Sequence, residues 1–186
     1  MLDILRPQKL ELDALYLGLL AARRIKPLSR LEYPVSSDVL GRLQGLGLVV
    51  APVRRVAQNG ARLTHWILGT DPAVIRQYQL EYEGTTIEDN LPGVIRSEAR
   101  YFGYPPCCAE AYISEPYAPN DLAVEEQALL FHHACPGCRV TPALLPLYRA
   151  ALAEARRLQE GLLRSRGGAR RCKEARSATA CAPYLA

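Results

Sequence analysis

Four of the chain's six cysteines and two of its three histidines fall between positions 107 and 138, as Cys107-Cys108 and then His132-His133-Ala134-Cys135-Pro136-Gly137-Cys138. No other feature constrains the fold as much, because side chains separated by 26 residues can act together only if the intervening chain folds back on itself. The Cys135–Cys138 spacing lets two sulfurs converge on one metal ion from a tight turn, and Pro136-Gly137 supplies that turn. Cys107 and Cys108 follow Pro105-Pro106, which can open a helix, and Cys138 precedes a second helix that Thr141-Pro142 starts. Free N–H groups and the dipole at such helix starts favour thiolate over thiol. Successive helical residues point about 100° apart. The expectation is therefore that one of Cys107 and Cys108 ligates while the other packs, with His132 or His133 as substitute or outer ligand.

Three uses of this cluster compete. A metal site would hold zinc or an iron–sulfur cluster; four cysteines suit either, and a mixture of Cys and His leans to zinc. A thiol redox or sulfur-transfer site would use the same Cys-x-x-Cys spacing, although no βαβ context of the thioredoxin kind surrounds it. Buried cysteines can also serve simply as small apolar side chains, with His132 and His133 satisfied locally. The N-terminal residues lack a basic start followed by an apolar stretch, so a cytoplasmic location is expected, where a disulfide framework is the least favoured reading. Cys172 and Cys181 are assigned no role.

The run Gly103-Tyr104-Pro105-Pro106-Cys107-Cys108, followed by Cys135-Pro136-Gly137-Cys138, resembles a paired-cysteine signature of an uncharacterised prokaryotic protein family over about residues 100–150. The resemblance implies that the four cysteines act as one unit and implies no particular reaction. His132 and His133 are not part of that signature.

Around the cluster the chain reads mostly as helix. Residues 9–25 carry an apolar pattern and end in basic residues before Pro27, as a helix C-terminus does. Ser36-Ser37-Asp38 can cap a short helix over 39–44, stopped by Gly45 and Gly47. Residues 48–56 and 62–68 alternate on either side of Asn59-Gly60 and should pair as a β-hairpin. Asp71-Pro72 caps a helix over 73–82, another spans 91–102 before Gly103, and Asn120-Asp121 can cap one over 122–133. The longest helix follows Thr141-Pro142, with a broad apolar stripe from Leu144 to Leu162.

The expected fold class is α+β and mainly α. A helix-plus-hairpin unit over 1–70 packs on a helical, bundle-like unit over 71–163 that carries the cysteines. Beyond it, residues 164–186 hold six basic side chains against one acidic one, more than the whole net charge of +4, and read as a flexible basic tail. Such a tail could touch nucleic acid or an acidic partner weakly. No apolar run approaches the roughly 20 residues of a membrane-spanning helix.

The N-terminal order of helix, short stretch, helix and hairpin is also that of a winged-helix DNA-binding unit. Arg42 and Gln44 would then face bases, and Arg54, Arg55 and Arg62 would face phosphate, making the cysteines a metal or redox sensor. His65 reads as a structural or exposed strand residue, with Trp66 on the opposite side so that at most one of the two is buried. Glu81, Glu83, Glu88, Asp89 and Glu98 read as a solvated acidic face, or as a source of a general base. No phosphate-binding glycine loop, Gly-x-Ser-x-Gly elbow or His-Glu-x-x-His is present, which leaves nucleotide-dependent, serine-hydrolase and zincin chemistry without support.

Overall fold

The computed structural model describes the backbone of residues 2–88 and 90–178, with side chains over 8–88 and 90–161. The described chain is α+β and mainly α, with ten elements: α1 (Leu2–Ala22), β1 (Leu28–Leu31), α2 (Ser37–Gly45), β2 (Val49–Val56), β3 (Arg62–Gly69), α3 (Pro72–Tyr82), α4 (Pro92–Phe102), α5 (Pro106–Ser114), α6 (Val124–Gln127) and α7 (Val140–Ala178). Capping residues act where the sequence places them. The Ser36 hydroxyl accepts from the Val39 amide, Asp71 accepts from the Ala73 amide, and Gly103 closes α4 in the left-handed conformation at φ 66°.

The hairpin forms with Val49 opposite Gly69 and Val56 opposite Arg62. A third strand, β1, joins it on the other side of β3, giving the antiparallel order β1-β3-β2. Four residues, Leu-Ser-Arg-Leu, were too short to show a period, and it is pairing with β3 that makes them a strand. Both faces of the sheet are covered. Leu31, Val50, Trp66 and Leu68 face α1 and α2, while Leu28, Val53 and Ile67 face Ile75 and Tyr78 of α3 and Phe102 of α4. His65 is buried, and Trp66 on the opposite face is partly buried as well, because helices lie on both sides.

α1 is the central element. Ala14, Leu17 and Ala21 pack on the sheet and α2, whereas Leu15, Tyr16, Leu19 and Leu20 pack on Leu145, Tyr148, Ala151 and Ala155 of α7. α1 thus packs on elements from both sides of residue 70. Two expectations differ from the structure in the second half. The helix expected over 122–133 is confined to α6, because Asn120 donates to the Gln127 side-chain carbonyl oxygen, Gln127 donates to the His132 backbone carbonyl and His133 donates to the Ala118 carbonyl, which together hold the segment irregular. α7 continues through Ala178, so the basic segment is helical up to that residue, while 179–186, including Cys181, lie outside the described residues. Among the described residues, no helix is long and apolar enough to cross a membrane.

Candidate metal centre

α4 ends at Gly103, and Tyr104-Pro105 redirects the chain so that α5 begins with its N-terminus against the start of α7. Cys107 and Cys108 lie in the first turn of α5, Cys135 and Cys138 in the turn before α7. In that turn Cys138 N–H donates to the Cys135 carbonyl at 3.2 Å, Gly137 takes φ 63°, and its amide donates to Asp121 Oδ2 at 2.9 Å. The four sulfurs all lie within 4.8 Å of one another. Cys108 Sγ is 3.8 Å from Cys135 Sγ and 3.5 Å from Cys138 Sγ, and Cys107 Sγ is 4.0 Å from Cys138 Sγ.

Both Cys107 and Cys108 therefore reach the cluster, contrary to the expectation from their angular separation. Cα–Cβ bonds tilt toward a helix's N-terminus. The common point lies beyond the end of α5 rather than beside it, so neighbouring positions converge there. Cys107 is exposed, Cys108 buried, and the other two are between. All four are free thiols.

The surroundings favour negative sulfur at Cys138 and oppose it at Cys108 and Cys135. Cys135 N–H donates to Cys108 Sγ at 3.4 Å, and Thr141 N–H donates to Cys138 Sγ at 3.3 Å. Burial would push the Cys138 thiol up, but the Thr141 hydroxyl and the Thr141 and Val140 amides outweigh it and hold it at about 6. Burial and neighbouring thiols push Cys135 up, and burial raises Cys108 against the Thr141 hydrogen bond. Four sulfurs this close cannot all carry charge without a cation among them.

The two histidines expected as substitute ligands stand outside the sulfur group. His132 Nε2 is 3.1 Å from Thr141 Oγ1, which is itself 3.3 Å from Cys138 Sγ and 3.5 Å from Cys108 Sγ, so His132 meets the cluster through a hydroxyl. Burial, then the charges of Lys26 and His133, lower His132 to about 4, which keeps it neutral. His133 Nε2 donates to the Ala118 carbonyl at 2.7 Å and serves the loop. Thr141, fully buried, and Asp121 are the site residues that pattern reading missed. The sequence signals were a helix-start hydroxyl three residues after Cys138 and an acid in a loop.

The cluster is flanked by two cavities, of about 350 and 320 Å³. Cys108, His132 and His133 border the first, and Cys135 and Cys138 the second. Three of the arginines read as DNA contacts have carboxylate partners inside the fold. Arg42 pairs with Glu11, and Arg54 with Glu83. Arg55 is interior, where it pairs with Glu98 and donates to the Thr86 carbonyl. Of the residues read as base or phosphate contacts, Arg55 alone is interior; Gln44, Arg54 and Arg62 are exposed, and a strand rather than a helix precedes α2. Glu81 and Glu98 are not a free acidic face either: Glu81 accepts from Ser97 and Tyr101, and Glu98 binds Arg30 and Arg55. Asp89 lies outside the described residues. Comparison with family models, with curated proteins and with solved structures finds no match to this chain.

Proposed function

We propose that Cys107, Cys108, Cys135 and Cys138 together hold one zinc ion in a closed site that fastens the start of α5 to the start of α7. The observation that carries this reading is the mutual approach of all four sulfurs within 4.8 Å. Sulfurs placed tetrahedrally about 2.3 Å from a zinc ion stand about 3.8 Å apart. The sulfur separations of 3.5, 3.8 and 4.0 Å straddle that value. An iron–sulfur cluster puts several atoms between its cysteines and needs them wider, so the spacing favours a single ion. Four thiolates leave no open position, which favours a structural over a catalytic role. The resemblance to the paired-cysteine family likewise implies that the four act as a unit. Free thiols so close together suit a reducing compartment, and the reading places the chain in the cytoplasm.

Anaerobic purification with elemental analysis and an absorption spectrum tests the reading. The expected result is about one zinc per chain, no visible band, and loss of metal in Cys135→Ser. Iron with a visible band would replace zinc in the proposal, and no metal in either protein would end it. A second reading, thiol redox or sulfur transfer, draws on the exposure of Cys107 and its 4.0 Å approach to Cys138. It requires rapid alkylation of Cys107 in the protein as purified, whereas metal-bound thiols resist until a chelator is added.

A further inference from the structure

We infer that Lys26 is a nucleophilic amine for a small 2-oxo acid, which enters the cavity beside it and condenses with Nζ to an imine. The proposal is independent of the cysteine site.

Lys26 is placed by the end of α1. Arg24 turns the chain at φ 55°, and the amides of Ile25 and Lys26 both donate to the Leu20 carbonyl, at 2.9 and 3.1 Å. The side chain runs inward and is 1% exposed. Its Nζ faces three rings: Tyr104 at 4.8 Å, Phe131 at 4.9 Å and Phe102 at 5.7 Å from the centroids. Among the described residues, no carboxylate pairs with Nζ and no acceptor takes a hydrogen bond from it. A structural lysine ordinarily has such a partner or keeps its head in water.

Lys26 and the same three rings border a cavity of about 640 Å³. Cavities of this size take small-molecule ligands. Exposed Glu32 and Arg156 stand at its edge, so solvent reaches it. Asp13 and Arg30 line it too, and since Glu32 and Glu98 hold Arg30, Arg156, which forms no ion pair among the described residues, is the lining cation left for a ligand carboxylate. Ring faces attract an ammonium, but desolvation opposes charge. Here burial, with the Arg30 charge as second cause, brings the lysine down to about 7, where a large share carries the lone pair that attack requires.

The step balances without a further reactant. The Nζ lone pair forms a C–N bond to the carbonyl carbon, the nitrogen protons pass to the oxygen, and water leaves. No atom changes oxidation state overall.

Reductive trapping tests the assignment on the full metal-loaded chain at pH 7.5, with glyoxylate as probe, sodium cyanoborohydride as hydride source and peptide mapping as readout. The chain has only three lysines, so the map is unambiguous, and exposed Lys9 is the internal reference. Lys26 should be modified at least about tenfold faster than Lys9, since an ordinary lysine is almost wholly protonated at that pH. Modification should also be faster with glyoxylate than with propanal, which lacks the carboxylate. Lys26→Arg keeps a cation over the rings and should lose the fast adduct. Modification of Lys26 no faster than Lys9, or a fast adduct that survives in Lys26→Arg, would overturn the assignment. Equal rates with propanal would overturn the choice of an oxo acid.

Discussion

Glu98 balances two guanidinium groups, since Arg30 and Arg55 both approach its carboxylate and Arg55 is 2% exposed. Removing the negative charge would leave the buried Arg55 without a carboxylate, while Arg30 keeps Glu32; one uncompensated buried cation costs about 3–5 kcal/mol. Glu98→Gln should lower stability by about that amount in urea unfolding, and a loss below roughly 1 kcal/mol would show that solvent already screens the pair. Lys26 allows a prediction with a sign. Unfolded, a lysine keeps its proton to about pH 10.4. Folded, burial and then Arg30 lower Lys26 to about 7. Between these values the unfolded chain binds more protons, so stability from this group rises with pH and falls as pH drops toward 7. The stability of the wild type relative to Lys26→Met should therefore grow by roughly 3 kcal/mol between pH 7 and 9.5. A flat difference would mean that the ammonium stays charged against its rings.

The placement of α5 depends on how α4 stops. Gly103 has φ 66°, and a Cβ there would meet Pro27 Cδ at 2.7 Å. Gly103→Ala should destabilise the protein by about 1–2 kcal/mol from the backbone conformation alone. It should also weaken metal retention, because Cys107 and Cys108 begin the next helix; competition with a chromophoric chelator would measure this. At the start of α7, Thr141 contacts two sulfurs and His132 through one hydroxyl. Thr141→Val preserves shape and should leave the helix intact while reducing metal affinity about tenfold, as loss of an outer hydrogen bond to a ligand does. Unchanged affinity would reduce Thr141 to a packing residue. Helix starts and stops were legible because caps act locally; the irregular chain over 128–139 was not, because Asn120, Gln127 and His133 meet only in the folded loop.

At the scale of the molecule, α7 packs along α1, α5 packs on α4, and the cysteines join the two assemblies. Metal removal should therefore loosen this junction first. Chelator treatment should lower the melting temperature by roughly 10 °C or more, with helix loss seen by circular dichroism, and Cys135→Ser should reproduce the effect without chelator. A melting curve that ignores the chelator would show that the cores containing Tyr148 and Phe102 hold the fold unaided.

The sequence by itself determined the helices with local caps and the hairpin around Asn59-Gly60, because each depends on residues near one another in the chain, and it marked the four cysteines as a candidate group by residue type and spacing. Only the tertiary structure decided the rest. β1 is a strand because β3 offers it a partner, and Arg55 is interior because Glu98 and Thr86 receive it. Both Cys107 and Cys108 reach the cluster because the start of α5 points at the start of α7. His132 stands one hydroxyl away because Thr141 lies between. These outcomes turn on distances between residues far apart in sequence, and such distances are fixed by packing rather than by local pattern.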